Sequence, residues 1–183
     1  MMILAGIDLS MNGPAIAKFD TSKNFCFKNI QFYYLTTLKK YQCVILDNVV
    51  GAPIKDYSTN EERWNNIAEW CLASTIDCDI VNIEGMSFGA TSNSLAQIGE
   101  MTGVVKHKWF LNNIKINVTP PTQNKKAFSG KGNATKGDMI DTFIKKFDYN
   151  IIDLFKINGS NLHPVEDICD ATALLDYQIK QLA

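Results

Sequence analysis

Four acidic residues stand at positions where side chains from separate elements can meet. Asp8 closes the first apolar run of the chain, and Glu84 closes a later apolar run, IVNIE. Asp167 and Asp170 are three residues apart in a helical pattern, which places both on one helix face with their Cβ atoms about 5–6 Å apart. Carboxylate oxygens are the ligands that Mg²⁺ and Mn²⁺ prefer, and two such ions roughly 3.5–4 Å apart can hydrolyse a phosphodiester bond. The four acids are therefore candidate ligands of a two-metal hydrolytic site.

Each acid also has a purely structural interpretation. A strand-end acid can cap a turn, and an exposed acidic pair on a helix costs only tenths of a kcal/mol. Ligands of α/β sheets bind at strand ends and in the loops that follow them, which favours the chemical interpretation. The sequence leaves the choice open, because it depends on whether four acids on three elements converge.

The elements that carry these acids alternate between strand and helix patterns. Strands are predicted at residues 2–8, 15–20, around 25–34, 80–84 and 114–118. Helices are predicted at about 60–75, 94–111, 135–147 and 164–182. The apolar run from Val44 to Val50 is compatible with a short strand or with the path into the first helix. The pattern predicts one α/β domain over residues 1–183, with a mixed five-stranded sheet flanked by helices.

Charge is distributed unevenly along the chain. Between Val104 and Phe147 there are nine lysines and two acids, a local charge of +7, so the remainder carries −8 of a net charge of −1. This separation of positive and negative charge fits a basic surface that binds a phosphate backbone, next to an acidic site that binds metal. A lysine-rich solvated face is the alternative, and composition alone does not separate the two.

The motifs, in their order and spacing, resemble the RuvC-like Holliday junction resolvases, especially the short phage and viral branch. Gly6-Ile7-Asp8 followed by Gly13 is similar to the first strand and turn of that family, and Ile83-Glu84 is similar to its second acidic strand end. The stretch LAQIGEMTGV (residues 95–104) resembles the family helix. The stretch DICDATAL (residues 167–174) is similar to the closing D-x-x-D-A-x-A motif. The resemblance runs almost end to end.

The resemblance implies an RNase H-like fold, a homodimer and paired nicks in two strands of a four-way DNA junction. The activity would be that of a crossover junction endodeoxyribonuclease with two Mg²⁺ ions per active site, for which Mn²⁺ would substitute. The implied metal ligands are Asp8, Glu84, Asp167 and Asp170. Lys125 and Lys136 stand where the family has lysines near the scissile phosphate, and they would neutralise phosphate charge near the cut.

Candidate DNA contacts come from the basic region and from one aromatic residue. The lysines among them are Lys106, Lys108, Lys125, Lys126, Lys131 and Lys136. The family has an aromatic residue three positions after the glutamate, and that position is Ser87 here. Phe88, one position later, is therefore the candidate for stacking at the opened junction. The alternative is that Phe88 packs in the turn. Arg63 is the only arginine, which favours recognition of DNA structure over recognition of base sequence. His107 and His163 match no family position, and we expect structural roles for both.

Two further features concern the first turn and the dimer. The glycine that the family often has two residues after its first aspartate is Ser10 here, a change that leaves the carboxylate in place. Gly99 and Gly103 would permit close approach in the dimer, although a G-x-x-x-G pattern in such a helix is also typical of tight packing against the sheet.

Three other functions fit parts of the sequence. An actin-like or sugar-kinase domain also begins with a strand and an aspartate, but it has a glycine at the position of Ser10, a threonine-rich phosphate turn and a longer chain, so we expect no nucleotide cofactor. A catalytically silent junction-binding protein would keep the lysines and lose an acid, whereas all four acids are present. A broader endonuclease of the same fold, cutting flaps or branched duplexes, stays open.

The sequence predicts no association with membranes. Its apolar stretches are of strand length, shorter than the roughly 18–20 residues that a bilayer span needs, and Met1 to Ile7 lacks a basic leader. Five scattered cysteines without a CxxC spacing predict neither disulfides nor a zinc site. We expect a cytoplasmic protein, in a bacterium or a phage-infected host.

Overall fold

A mixed sheet of seven strands forms the centre of the computed structural model, which describes residues 1–86, 92–157, 159 and 161–182. In chain order the strands are β1 (Ile3–Asp8), β2 (Ala15–Asp20), β3 (Ile30–Thr36), β4 (Val44–Leu46), β5 (Val49–Pro53), β6 (Ile80–Glu84) and β7 (Lys115–Thr119). Their order across the sheet is β4-β5-β3-β2-β1-β6-β7. β1 is antiparallel to β2 and parallel to β6, and β6 is parallel to β7.

Helices cover both faces of this sheet. They are α1 (Asn60–Thr75), α2 (Ser92–Leu111), α3 (Pro121–Ser129), α4 (Lys136–Phe147), α5 (Ile151–Phe155) and α6 (Val165–Leu182). None of the helices in these described ranges is long and apolar enough to cross a membrane.

Successive residues of β1 point to opposite faces of the sheet, and each face has its own buried core. Leu4 packs in a core with residues of α3, α4, α5 and α6. Ala5 and Ile7 pack in a second core with residues of α1 and α2. The strand that ends in Asp8 is therefore buried on both sides, which gives the carboxylate at its tip a rigid support.

The predicted helices at 60–75, 94–111, 135–147 and 164–182 are confirmed within two residues at each end. The predicted number of five strands is wrong, because the run from Val44 to Val50 divides into β4 and β5 at Asp47-Asn48. β5 pairs parallel with β3 and extends the sheet on that side.

Two helices were not predicted. Pro121 is the first residue of α3, a position where the fixed φ of proline favours a helix. The short helix α5 begins where the Asn150 side chain accepts hydrogen bonds from the backbone N–H groups of Ile152 and Asp153.

Gly6 allows α6 to lie directly against β1. A Cβ atom at Gly6 would stand 2.2 Å from the carbonyl oxygen of Ala171 and 2.2 Å from the backbone nitrogen of Leu175. The buried Asn82 of β6 holds the same helix, because its Nδ2 donates to the Leu174 carbonyl oxygen at 2.9 Å. The first turns of α6 are thereby fixed over the ends of β1 and β6.

We expect Gly6→Ala to destabilise the protein by at least about 3 kcal/mol, because the new methyl group meets backbone atoms that cannot rotate away. Chemical denaturation of the purified protein measures this. Gly137→Ala is the matched control: the nearest described atom to its added Cβ is Thr135 Oγ1 at 3.7 Å, an ordinary contact, so the variant should unfold within about 1 kcal/mol of the original protein. Equal stability of the two variants would contradict the proposed close approach.

Candidate active site

The acids at the ends of β1 and β6 lie at one edge of the sheet. The two strands are parallel neighbours, with Ile7 opposite Ile83 in the register. Each strand has its carboxylate at the next position, so Asp8 and Glu84 extend from adjacent strand ends. Asp8 is half-buried, whereas Glu84 is exposed.

α6 contributes the other two acids to the same place. Asp167 and Asp170 lie in the first turns of this helix, and both are half-buried. The charges of Asp170, Asp167 and Glu84 each raise the pKa of Asp8. The structure therefore brings all four predicted acids within electrostatic reach of one another.

Burial and mutual repulsion hold protons on this cluster. The pKa of Asp8 is raised well above its usual range, first by desolvation and then by the charges of Asp170 and Asp167. The pKa of Asp170 is raised to about 7, again mainly by desolvation and next by Glu84. Although Glu84 is the most exposed of the four, partial desolvation raises its pKa as well. Such a site favours the binding of positive charge.

Lys125 and Lys136 approach the acids from two further helices. The charge of Lys125, which is half-buried in α3, lowers the pKa of both Glu84 and Asp170. Lys136 begins α4, and its Nζ lies 2.7 Å from Glu166 Oε2. Burial opposes the charged form of Lys136, but Glu166 and the nearby aspartates outweigh it and raise the pKa of this lysine.

The other predicted DNA contacts lie at various distances from the acids. Lys126 and Lys131 are exposed on α3 and in the loop after it, with Lys131 Nζ 3.5 Å from Asp138 Oδ1. Lys106 lies far along α2, about 20 Å from its first residue. That helix connects the parallel strands β6 and β7, so it runs from the end of β6 that carries Glu84 back toward the ends at which β6 and β7 begin. The structure does not bring Lys106 to the acids.

Lys108 lies near the same distant end of α2 and forms an ion pair with Glu69 of α1. One residue later, Trp109 Nε1 donates to Thr75 Oγ1 at the end of α1. Lys108 is therefore also remote from the acids. Phe88, the predicted stacking residue, lies outside the described residues.

His163, for which we expected a structural role, lies in contact with one of the four acids. Its Nδ1 contacts Asp167 Oδ2, and its Nε2 lies 3.2 Å from Thr36 Oγ1 at the end of β3. The signal in the sequence was the spacing of four residues between His163 and Asp167, which brings side chains together near a helix start.

The donor set fits a divalent cation by ligand type and charge. Four carboxylates gather at one edge of the sheet, and two lysines offset their charge only in part. Within the described ranges, no three Asp, Glu, His or Cys side chains lie close enough to form a metal coordination shell as they stand. A bound ion would draw the carboxylates closer together than their mutual repulsion allows.

Comparisons with known proteins show the fold. No family model matches the chain, and no curated protein matches its sequence. Among solved structures, RuvC of Thermus thermophilus in complex with Holliday junction substrate is similar with a TM-score of 0.66 and 15% identity, covering 100% of this chain and 95% of that one. The Fowlpox virus resolvase in complex with Holliday junction DNA gives a TM-score of 0.56 at 19% identity, with 99% of each chain covered.

A third similar structure is the yeast mitochondrial Holliday junction resolvase, with a TM-score of 0.57 and 11% identity over 97% of this chain and 80% of that one. These similarities extend over nearly the whole of this chain. They confirm the predicted RNase H-like fold.

The raised pKa of Asp170 predicts how the metal-free protein responds to pH. Because the folded protein keeps a proton on Asp170 up to about pH 7, whereas an unfolded aspartate loses it near pH 4, stability falls as the pH rises between these values. Asp170→Asn cannot ionise, so in EDTA at pH 8 it should unfold at a temperature roughly 4–8 °C higher, corresponding to about 2 kcal/mol. The two proteins should converge near pH 4.

Thermal unfolding followed by circular dichroism measures this difference, and Asp141→Asn controls for the loss of one exposed negative charge on α4. Added Mg²⁺ should then stabilise the original protein more than Asp170→Asn. Parallel pH profiles for the original protein and Asp170→Asn would show that burial and the neighbouring acids do not raise the pKa of Asp170 as described.

Proposed function

We propose that this chain is a metal-dependent, structure-selective endodeoxyribonuclease that resolves four-way DNA junctions by paired nicks. The observation that carries the proposal is the convergence of Asp8, Glu84, Asp167 and Asp170, two at parallel strand ends and two on α6. The similarity in fold to RuvC in complex with Holliday junction substrate and to the Fowlpox virus resolvase in complex with Holliday junction DNA supports the choice of substrate.

The four acids would hold divalent cations, with Mg²⁺ as the proposed ion at two per site and Mn²⁺ as a substitute. When bound, the ions would supply activation of a water molecule and stabilisation of the leaving oxygen. The protein's own part is to hold the carboxylates on rigid elements: Asp8 at the end of a strand buried on both faces, and Asp170 on a helix packed against that strand.

The two lysines near the acids would act on the DNA phosphate. Each ammonium is a compact positive charge suited to a phosphate oxygen that gains charge as the bond breaks. Lys136 is held beside α6 by its ion pair with Glu166, and Lys125 lies within electrostatic reach of Glu84. Lys126 and Lys131, both exposed on the same side of the sheet, would extend this positive surface along the DNA backbone.

Paired nicks require two active sites, so we propose a homodimer. The α2 surface supports this assembly, because a Cβ atom at Gly103 would meet no described atom within 4 Å apart from its chain neighbours and the local helix backbone. Gly103, Val104 and Trp64 line a groove of about 530 Å³ between α1 and α2. A second copy of α2 could approach closely here.

Cleavage assays test the function directly. With Mg²⁺ present, we expect the protein to cut a synthetic four-way junction faster than a replication fork, a flap or a linear duplex. Asp8→Asn should fold and lose cleavage by at least about 10³-fold, since one carboxylate of the set is gone. Undiminished cutting by this variant would refute the proposed site, and equal rates on all branched substrates would favour a broader branched-DNA endonuclease.

Lys125→Met should lower the cleavage rate about 10²-fold while junction binding, measured without a cleavage-competent metal, changes little. The reason is that one ammonium among many contributes little to binding, whereas its charge near the acids acts on the reacting phosphate. Lys145→Met, which removes an exposed lysine from α4, is the control for charge alone and should cut within about threefold of the original rate. Equal effects of the two substitutions would argue against a local role for Lys125.

A further inference from the structure

We propose that His163 is a positioning residue that holds Asp167 through one carboxylate oxygen and leaves the other oxygen for a cation. This inference rests on the proposed function, because it gives His163 a task at the same acidic site. Its basis is the contact of His163 Nδ1 with Asp167 Oδ2, together with the second contact of the ring to Thr36.

The partners of the ring determine which nitrogen carries a proton. A carboxylate only accepts hydrogen bonds, so the nitrogen that faces Asp167 must be Nδ1–H. On the other side of the ring, Nε2 lies 3.2 Å from Thr36 Oγ1, and that hydroxyl already accepts a hydrogen bond from the backbone N–H of Leu38 at 3.1 Å. The Thr36 hydroxyl can therefore donate its own hydrogen to Nε2. In this series of hydrogen bonds, from Leu38 through Thr36 and His163 to Asp167, each bond has one donor and one acceptor.

The position of the ring is fixed by the loop that follows β1. A Cβ atom at Gly13 would stand 2.1 Å from His163 Cε1, so the loop backbone lies directly against the imidazole. The loop is held in turn by Ser10, whose Oγ accepts from the Gly13 backbone N–H at 3.0 Å. Thr36 is fully buried, which gives the other end of the ring an equally fixed partner. His163 has little freedom to turn away from Asp167.

This geometry has a chemical consequence for Asp167. With Oδ2 occupied by the imidazole N–H, Oδ1 is the oxygen that remains for a metal ion. A ligand carboxylate oriented in this way loses less conformational freedom when the ion binds, and partners of this kind typically contribute about 10- to 100-fold to metal affinity. The ring itself need not touch either the ion or the DNA.

Two substitutions of His163 test its role in positioning Asp167. They differ in where they place an amide N–H group. The amide nitrogen of asparagine reaches the position of Nδ1, whereas that of glutamine reaches the position of Nε2. We expect His163→Asn to bind Mn²⁺ within about threefold of the original affinity, and His163→Gln to bind about 10-fold more weakly or worse. Calorimetric titration of the full chain with Mn²⁺ in the absence of DNA provides the measurement, and cleavage by His163→Gln should recover at high Mn²⁺.

Equal affinities in the two variants, whether both normal or both reduced, would overturn the proposal, because simple packing against Gly13 does not depend on where the amide lies. The variant Thr36→Val provides an independent test. It removes the partner of His163 Nε2 and leaves the imidazole intact, so it should also weaken Mn²⁺ binding. Unchanged affinity in Thr36→Val would count against the hydrogen-bonded chain even if His163→Gln does not fold.

Asp167→Ala separates this inference from the proposed function. If this variant binds Mn²⁺ as tightly as the original protein, or the original protein binds none, the metal site itself is refuted and the role of His163 with it. If Asp167→Ala loses affinity and His163→Gln does not, only the role of His163 is refuted.

Discussion

The packing of α6 against β1 at Gly6 is the contact on which the site depends. It places Asp167 and Asp170 over strand ends that carry two more acids, although half-buried carboxylates at short range repel one another. The pKa of Asp170 is raised mainly by burial and next by the charge of Glu84. Flexible loops would relieve the repulsion by moving apart, whereas a helix in backbone contact with a buried strand cannot. The core thus maintains a charge arrangement that is unfavourable until positive charge arrives.

The same helix also positions the lysines. α3, which carries Lys125, is attached to α6 where Lys180 Nζ donates to the Ala127 carbonyl oxygen at 2.6 Å. α4, which carries Lys136, is attached by the ion pair of that lysine with Glu166 near the start of α6. A shift of α6 would therefore move Asp167 and Asp170 together with the lysines, so the relative placement of these charges follows from one packing interface.

The strand-end acids were predictable because an apolar run of strand length that ends in a carboxylate indicates both the element and its end, as at Asp8 and Glu84. The helical pair was predictable from its spacing. Local patterns failed where a residue acts through long-range contacts. No helix was predicted at Pro121, although this residue begins the helix that brings Lys125 to the acids. For His163 the only local signal was its spacing of four residues from Asp167, because its other partner is a threonine that lies 127 residues away in the chain.

A comparison within α6 shows why the acids near its start differ from a structural acid. Asp176, two turns farther along, is buried with only 4% of its side chain exposed, and it has two lysines close by: Lys146 Nζ at 3.1 Å and Lys180 Nζ at 2.8 Å. Its charge is compensated within the protein, as buried charges generally must be. Asp170 has neighbouring lysines that act on its pKa, yet desolvation and other acids outweigh them. The uncompensated charge at this end of the helix, and not its acidic composition, is therefore the reason to propose a cation site at this end of the sheet.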